Sequence, residues 1–176
     1  MTTERGRDIQ LTKQTGEHLV VAELGRRKYT AAPFAGNLPD FDLFAANSIG
    51  QTIPIQVKTI NGGSWQFAAN KFCEIELTSD GIQHVKNKKN LPNERVVCAL
   101  VFLKKGEKDA IYLLDIKELQ NIIFNEYKKW IDSLGGKRPK NPKSFHTIIK
   151  PEQVEKFKDN WEVIEKMIAA TPVEKN

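Results

Sequence analysis

Cysteine is scarce in this 176-residue chain. Cys73 and Cys98 are its two thiols, far apart, with no CxxC pair and no His partner at zinc-ligand spacing. That scarcity excludes a disulfide framework and a structural zinc site, so both are expected to be reduced core residues. Long apolar runs are missing too. The longest, Val96 to Leu103, is far shorter than the roughly 20 residues a membrane helix needs. The polar start MTTERGRDIQ lacks the apolar stretch of a signal peptide, and a cytosolic protein is expected. Glycine and proline, 11 and 8 residues, stand at ordinary levels, which excludes fibrous and low-complexity classes.

What is present fits a globular protein: 40% hydrophobic and 28% charged residues. The length predicts one domain over residues 1–176, with its chemistry between about 11 and 70 and a helical part from about 115 to 170. Lys and Arg number 27 against 22 Asp and Glu, a net charge of +5, so contact with a polyanion is in keeping with the charge. Two basic clusters could meet phosphates: Lys86, Lys88 and Lys89, and Lys137, Arg138, Lys140 and Lys143. Each reads first as a solvated loop.

Helix formers from Leu11 to Lys28, closing on a basic turn, predict a first helix. Phe41–Ala46 and Thr52–Ile60 predict two antiparallel strands joined by NSIGQ. Beyond the break at Gly62-Gly63, SWQF opens a third strand, and a helix is expected between about Ile75 and Asn87. Val96–Leu103 reads as a buried strand paired with Ala110–Ile116 across KKGEKD. Leu119, Ile122, Ile123, Tyr127 and Trp130 predict a helix running to Leu134. After the basic loop Gly135–Ser144, the stripe Val154, Phe157, Trp161, Ile164 and Ile168 predicts a helix starting at Pro151. Trp130 and Trp161 are expected in the core. Trp65 is expected to cover the core, with base stacking as its functional alternative. His18, His84 and His146 share no ligand or triad spacing and receive no chemistry.

In IPIQVKT, Ile53, Ile55 and Val57 alternate with Gln56 and Lys58, which places the amide and the amine on one face. A hairpin symmetric about Ile49 sets Asp42 directly across from Gln56, at a Cβ separation of about 5 Å. On a helical wheel Glu17 falls between Val20 and Leu24 on one side and Val21 on the other, whereas Glu23 falls toward the flank beside Arg27. A carboxylate on a buried stripe is costly unless a cation or hydrogen bonds compensate it. Glu17 is therefore preferred to Glu23.

A helical Glu, an Asp opening a strand and a second strand ending in (D/E/Q)-x-K resemble the PD-(D/E)XK nuclease superfamily. Here Glu17, Asp42, Gln56 and Lys58 carry the pattern, and GEHLVVAEL, PDFDLFAAN and IQVKT look most like the Holliday-junction-resolvase and restriction-endonuclease-like branch. The resemblance covers Thr15 to Thr59. It implies an α/β, restriction-endonuclease-like mixed β-sheet flanked by α-helices and a metal-dependent endonuclease acting on nucleic acid, DNA above all. It also implies Mg²⁺ or Mn²⁺ held by Asp42, the Gln56 oxygen and Glu17, with Lys58 orienting or deprotonating the attacking water. Hard oxygen ligands suit Mg²⁺. A homodimer would let two single-strand cutters act on two strands. Gln stands at 56 where the pattern often has an acid, and Asp40 is the literal reading of the PD pair. Asp42 is chosen because the apolar strand continues directly from it. The alternative is a catalytically degenerate nuclease-fold module that binds nucleic acid or a protein partner without cutting.

Overall fold

The computed structural model describes residues 4–34 and 41–170; Pro39 and Asp40 lie outside them. Among the described residues no helix is long and apolar enough to cross a membrane.

Helix α1 spans Glu4–Arg26, a start well before the expected Leu11. Four strands follow: β1 (Thr30–Pro33), β2 (Leu43–Ala46), β3 (Thr52–Ile60) and β4 (Trp65–Ala68). Next come β5 (Cys73–Leu77), β6 (Gln83–Lys88), β7 (Val97–Phe102) and β8 (Ala110–Asp115). Helix α2 (Ile116–Ser133), strand β9 (His146–Ile149), the single turn α3 (Pro151–Val154) and helix α4 (Glu162–Ala169) complete the order. A five-stranded sheet runs β1-β2-β3-β7-β8. It is mixed, because β3 pairs parallel with β7 while the other neighbours pair antiparallel.

Strand alternation divides the core in two. Ile53, Ile55 and Val57 of β3, with Val97, Ala99 and Val101 of β7, face Val20 and Leu24 of α1 and Ile164 and Ile168 of α4. On the other face, Cys98 and Leu100 of β7 meet Leu119, Ile123 and Tyr127 of α2 and Trp65 and Phe67 of β4. Helices therefore flank the sheet on both sides, which is the fold class expected from the sequence. Both cysteines are buried and free, as expected.

Three further expectations fail, and two strands were not foreseen. The helix foreseen over Ile75–Asn87 is a β5–β6 hairpin, because the exposed Glu74, Glu76, His84 and Lys86 alternate with more buried neighbours at a period of two. Its turn closes at Gly81, whose φ of +80° suits glycine. The C-terminal stripe is not one helix. Asp159, at φ 52°, turns the chain so that its N–H donates to the Ile111 carbonyl at 2.8 Å, and the Asn160 amide donates to Leu113 O at 3.1 Å. That segment covers the open edge of β8. Trp130 is 40% exposed rather than core, lying under the Arg138 guanidinium at 4.9 Å. Finally, β1 and β9 were not foreseen, being four residues each; β1 pairs with the neighbouring β2, and β9 with the sequence-distant β4.

The basic loop after α2 is pinned by a buried polar chain. Tyr127 Oη donates to Gln83 Oε1 at 2.6 Å, and Gln83 Nε2 donates to the Pro142 and Ser144 carbonyls. Gln83 is fully buried, so an unmet oxygen there is expensive. Tyr127→Phe is expected to cost about 1–3 kcal/mol, read as a lower denaturant midpoint; an unchanged midpoint would show that the chain of bonds contributes nothing.

Candidate active site

The β2–β3 register pairs Leu43 with Ile55 and Ala46 with Thr52. That register is symmetric about Ile49, as expected, and Asp42, in the bend just before β2, lies beside Gln56, bonded to Ile55 and Val57 on either side of it. The turn is held by Asn47, whose side-chain oxygen accepts from the backbone N–H groups of Ile49 and Gln51 and fixes that symmetry. Asp42 is anchored in turn: its N–H donates to the Ile55 carbonyl, and its Oδ2 accepts the Val57 N–H at 2.8 Å. Its other oxygen, Oδ1, faces the ammonium of Lys13 at 3.0 Å.

Asp42, Gln56 and Lys58 line one cleft, whose opposite wall is the N-terminal half of α1 through Arg5, Thr12 and Lys13. An adjoining cleft shares Gln56, Lys58, Gln66 and Lys71 with the first and continues past Lys89. Three of the four expected residues thus line one concavity. Glu17 does not line it and joins through a residue that the pattern does not contain. Lys13 Nζ lies 3.0 Å from Asp42 Oδ1 and 3.5 Å from Glu17 Oε1. The two carboxylates are 13% and 15% exposed, the ammonium 49%. Partial burial pulls the Lys13 pKa down, but the Asp42 hydrogen bond and the two carboxylate charges outweigh it, and the net shift is upward.

Glu17 sits beside the buried stripe Gly16, Val20 and Leu24 rather than within it. Glu23 is on the flank, paired with Arg26 and Arg27, as the wheel predicts. The helix position is set by Gly16. A Cβ there would lie 1.9 Å from Thr59 Oγ1, so α1 can approach β3 closely only because residue 16 has no side chain.

Lys58 is half-buried, its Nζ 5.1 Å from the centroid of the Phe67 ring. Burial depresses its pKa; Asp42 opposes that shift, and the neighbouring charge of Lys71 reinforces it. The Lys58 carbonyl accepts the indole N–H of Trp65 at 3.0 Å. Trp65, itself buried, is therefore the core residue expected, and it holds β3 at the point where Lys58 emerges.

Of the seven basic residues singled out in the two clusters, Lys89 alone lines these clefts. Lys86 pairs with Glu76 and Lys88 donates to Asn121. Arg138 is spent on the Ser144 and His146 carbonyls. Lys137, Lys140 and Lys143 are exposed on the loop. Sequence reasoning missed Lys13 and Lys71. The first carried a legible signal, its i, i+4 spacing from Glu17; the second reaches the cleft through a single 3₁₀ turn after β4.

Asp42 Oδ1, the Glu17 carboxylate and the Gln56 amide oxygen are hard oxygen donors of the kind that could hold a divalent cation. Lys13 shows that a positive charge is stabilised where the carboxylates meet. Among the described residues no group of three His, Cys, Asp or Glu side chains is placed to hold a metal ion.

No family model and no curated protein matches the chain. Among solved structures, a bacterial homing endonuclease, I-Ssp6803I, matches with a TM-score of 0.51 over 93% of this chain and 97% of its own, at 10% sequence identity. The likeness extends over nearly the whole of both chains and shows a shared fold.

Proposed function

We propose that the chain is a divalent-metal-dependent endonuclease hydrolysing phosphodiester bonds in DNA, working at the cleft where Asp42, Gln56 and Lys58 converge. The observation that carries this reading is the convergence itself. Asp42, from the bend before β2, and Gln56 and Lys58, two residues apart on β3, line a single cleft, and the lysine is half-buried. The nuclease-like fold supports it.

When bound, Mg²⁺ or Mn²⁺ would neutralise phosphate charge and acidify a water. Asp42 Oδ1, Glu17 and the Gln56 amide oxygen would hold it, with Gln56 giving a ligand but no charge. Lys58 Nζ, its pKa depressed by burial, would orient the attacking water and take its proton. Lys71 and Lys89, at the shared and adjoining parts of the cleft, would meet the flanking phosphates.

The test is incubation of the protein with plasmid, branched and single-stranded DNA in Mg²⁺, in Mn²⁺ and after chelation. Cleavage is expected with either metal and none after chelation. One observation favours a second reading, a binding module that does not cut: with Gln at 56, Lys13 already pairs with both carboxylates. Salt-sensitive DNA binding without cleavage under every condition would select that module.

A further inference from the structure

We propose that Lys13 is a resident counter-ion of the acidic pair, which a divalent cation must displace before the site can act. The inference rests on the proposed nuclease reading and concerns how its site is loaded. Glu17 and Asp42 come from separate elements, α1 and the start of β2, and both are largely buried. Two such carboxylates repel each other unless a cation lies between them.

Lys13 supplies that cation from within the chain, in contact with both. Asp42 has no spare oxygen to share: Oδ2 is held by the Val57 N–H, and Oδ1 faces the ammonium. A magnesium ion bound at Oδ1, at a metal–oxygen distance of about 2.0–2.1 Å, would take the place of the ammonium. The side chain can leave without moving the helix. It is half-exposed on a flexible four-carbon stem, at the rim of the open cleft lined by Arg5, Thr12 and Lys58. Lys58 also repels it from across that cleft. Exchange of one cation for another explains how a site with a neutral Gln56 can keep its acids together in the metal-free protein. It also sets a threshold of metal concentration for loading.

The experiment is titration of the full chain with Mn²⁺ and with Mg²⁺ alone, by calorimetry, for wild type, Lys13→Met, Lys13→Arg and Asp42→Asn. Lys13→Met keeps the stem but removes the competitor. Its half-saturating metal concentration is expected to fall roughly tenfold, the scale of one ion-pair interaction at a partly solvated site. Lys13→Arg, which keeps the charge, should stay near wild type, and Asp42→Asn should lose binding. Without metal, Lys13→Met should melt below wild type and gain more from added Mn²⁺ than wild type does. Equal metal affinity in wild type and Lys13→Met overturns the exchange and leaves the nuclease reading intact. Weaker binding by Lys13→Met also overturns it, making Lys13 a support of the site. Absence of metal binding in every form overturns the exchange and the metal-dependent reading together.

Discussion

Lys58→Met is expected to lower metal-dependent cleavage by a factor on the order of 10²–10⁴, the usual worth of a positioned proton-transfer group, while leaving the fold intact. Methionine keeps an apolar stem against Phe67, where the lysine lies, so lost activity would not be lost packing. A second variant separates the two roles a lysine could play here. Lys58→Arg retains the charge that could orient a water or a phosphate but cannot give up its proton in a protein. Burial already depresses the Lys58 pKa. If the neutral amine is the acting form, its fraction, and with it the wild-type rate, rises with pH until that lowered pKa is passed. Lys58→Arg should lose both the activity and this rising limb. A fully active Lys58→Arg would leave only a charge role, and a fully active Lys58→Met would remove Lys58 from the chemistry altogether. Rates across pH in saturating Mg²⁺, with circular dichroism as the check on folding, decide among them.

The parts of the site set by short-range chemistry were legible in the sequence, and those set by distant packing were not. Asp42 comes to lie beside Gln56 because the Asn47–Gln51 loop closes symmetrically, and local composition encodes that closure. The strand pair β7–β8 was equally plain, since an unbroken apolar run has few other places to go. Helix α1 was harder. Its N-terminal half carries exposed Ile9 and Leu11, so the apolar periodicity that marks a core-facing helix is weak there. The start at Glu4 was missed as a result, and with it the wall formed by Arg5, Thr12 and Lys13. The β5–β6 hairpin was misread because its mixture of Glu, Lys and His with scattered aliphatics satisfies a helical count as readily as an alternating one. Trp130 shows the same limit. It shares the α2 stripe with Tyr127, but the loop that reaches it brings a guanidinium rather than a hydrocarbon face.

The pattern Glu17–Asp42–Gln56–Lys58 also hid the charge balance of the site. Two carboxylates face two lysines, Lys13 and Lys58, so the acids are compensated within the chain before any metal arrives. A third acid at position 56 would upset that balance in the metal-free protein, which gives the amide there a physical reason. Sequence alone names the donors; the structure shows which cation already answers them.

Gly16→Ala is the substitution expected to damage the site most without touching any of its polar groups. Alanine is the better helix former by about 1 kcal/mol, and on an exposed turn the change would stabilise α1. At this position the added Cβ would lie 1.9 Å from Thr59 Oγ1, 2.8 Å from Cγ2 and 2.9 Å from Cβ. Rotating the threonine cannot clear its own Cβ, so helix and strand must separate. Overpacking of this kind costs about 1–3 kcal/mol, which offsets the propensity gain and leaves a net loss of up to about 2 kcal/mol. The separation would fall beside Glu17 and one turn from Lys13, drawing both away from Asp42. Mn²⁺ affinity and cleavage should therefore drop along with stability. Thr59→Ala in the same chain removes Oγ1, which has no hydrogen-bond partner, together with Cγ2, and should restore part of both losses. The measurement is a double-mutant cycle on the denaturant midpoint, with Mn²⁺ titration of all four proteins. A Gly16→Ala protein as stable as wild type, with unchanged metal binding, would mean that the Gly16–Thr59 approach does not hold α1 in place over the site.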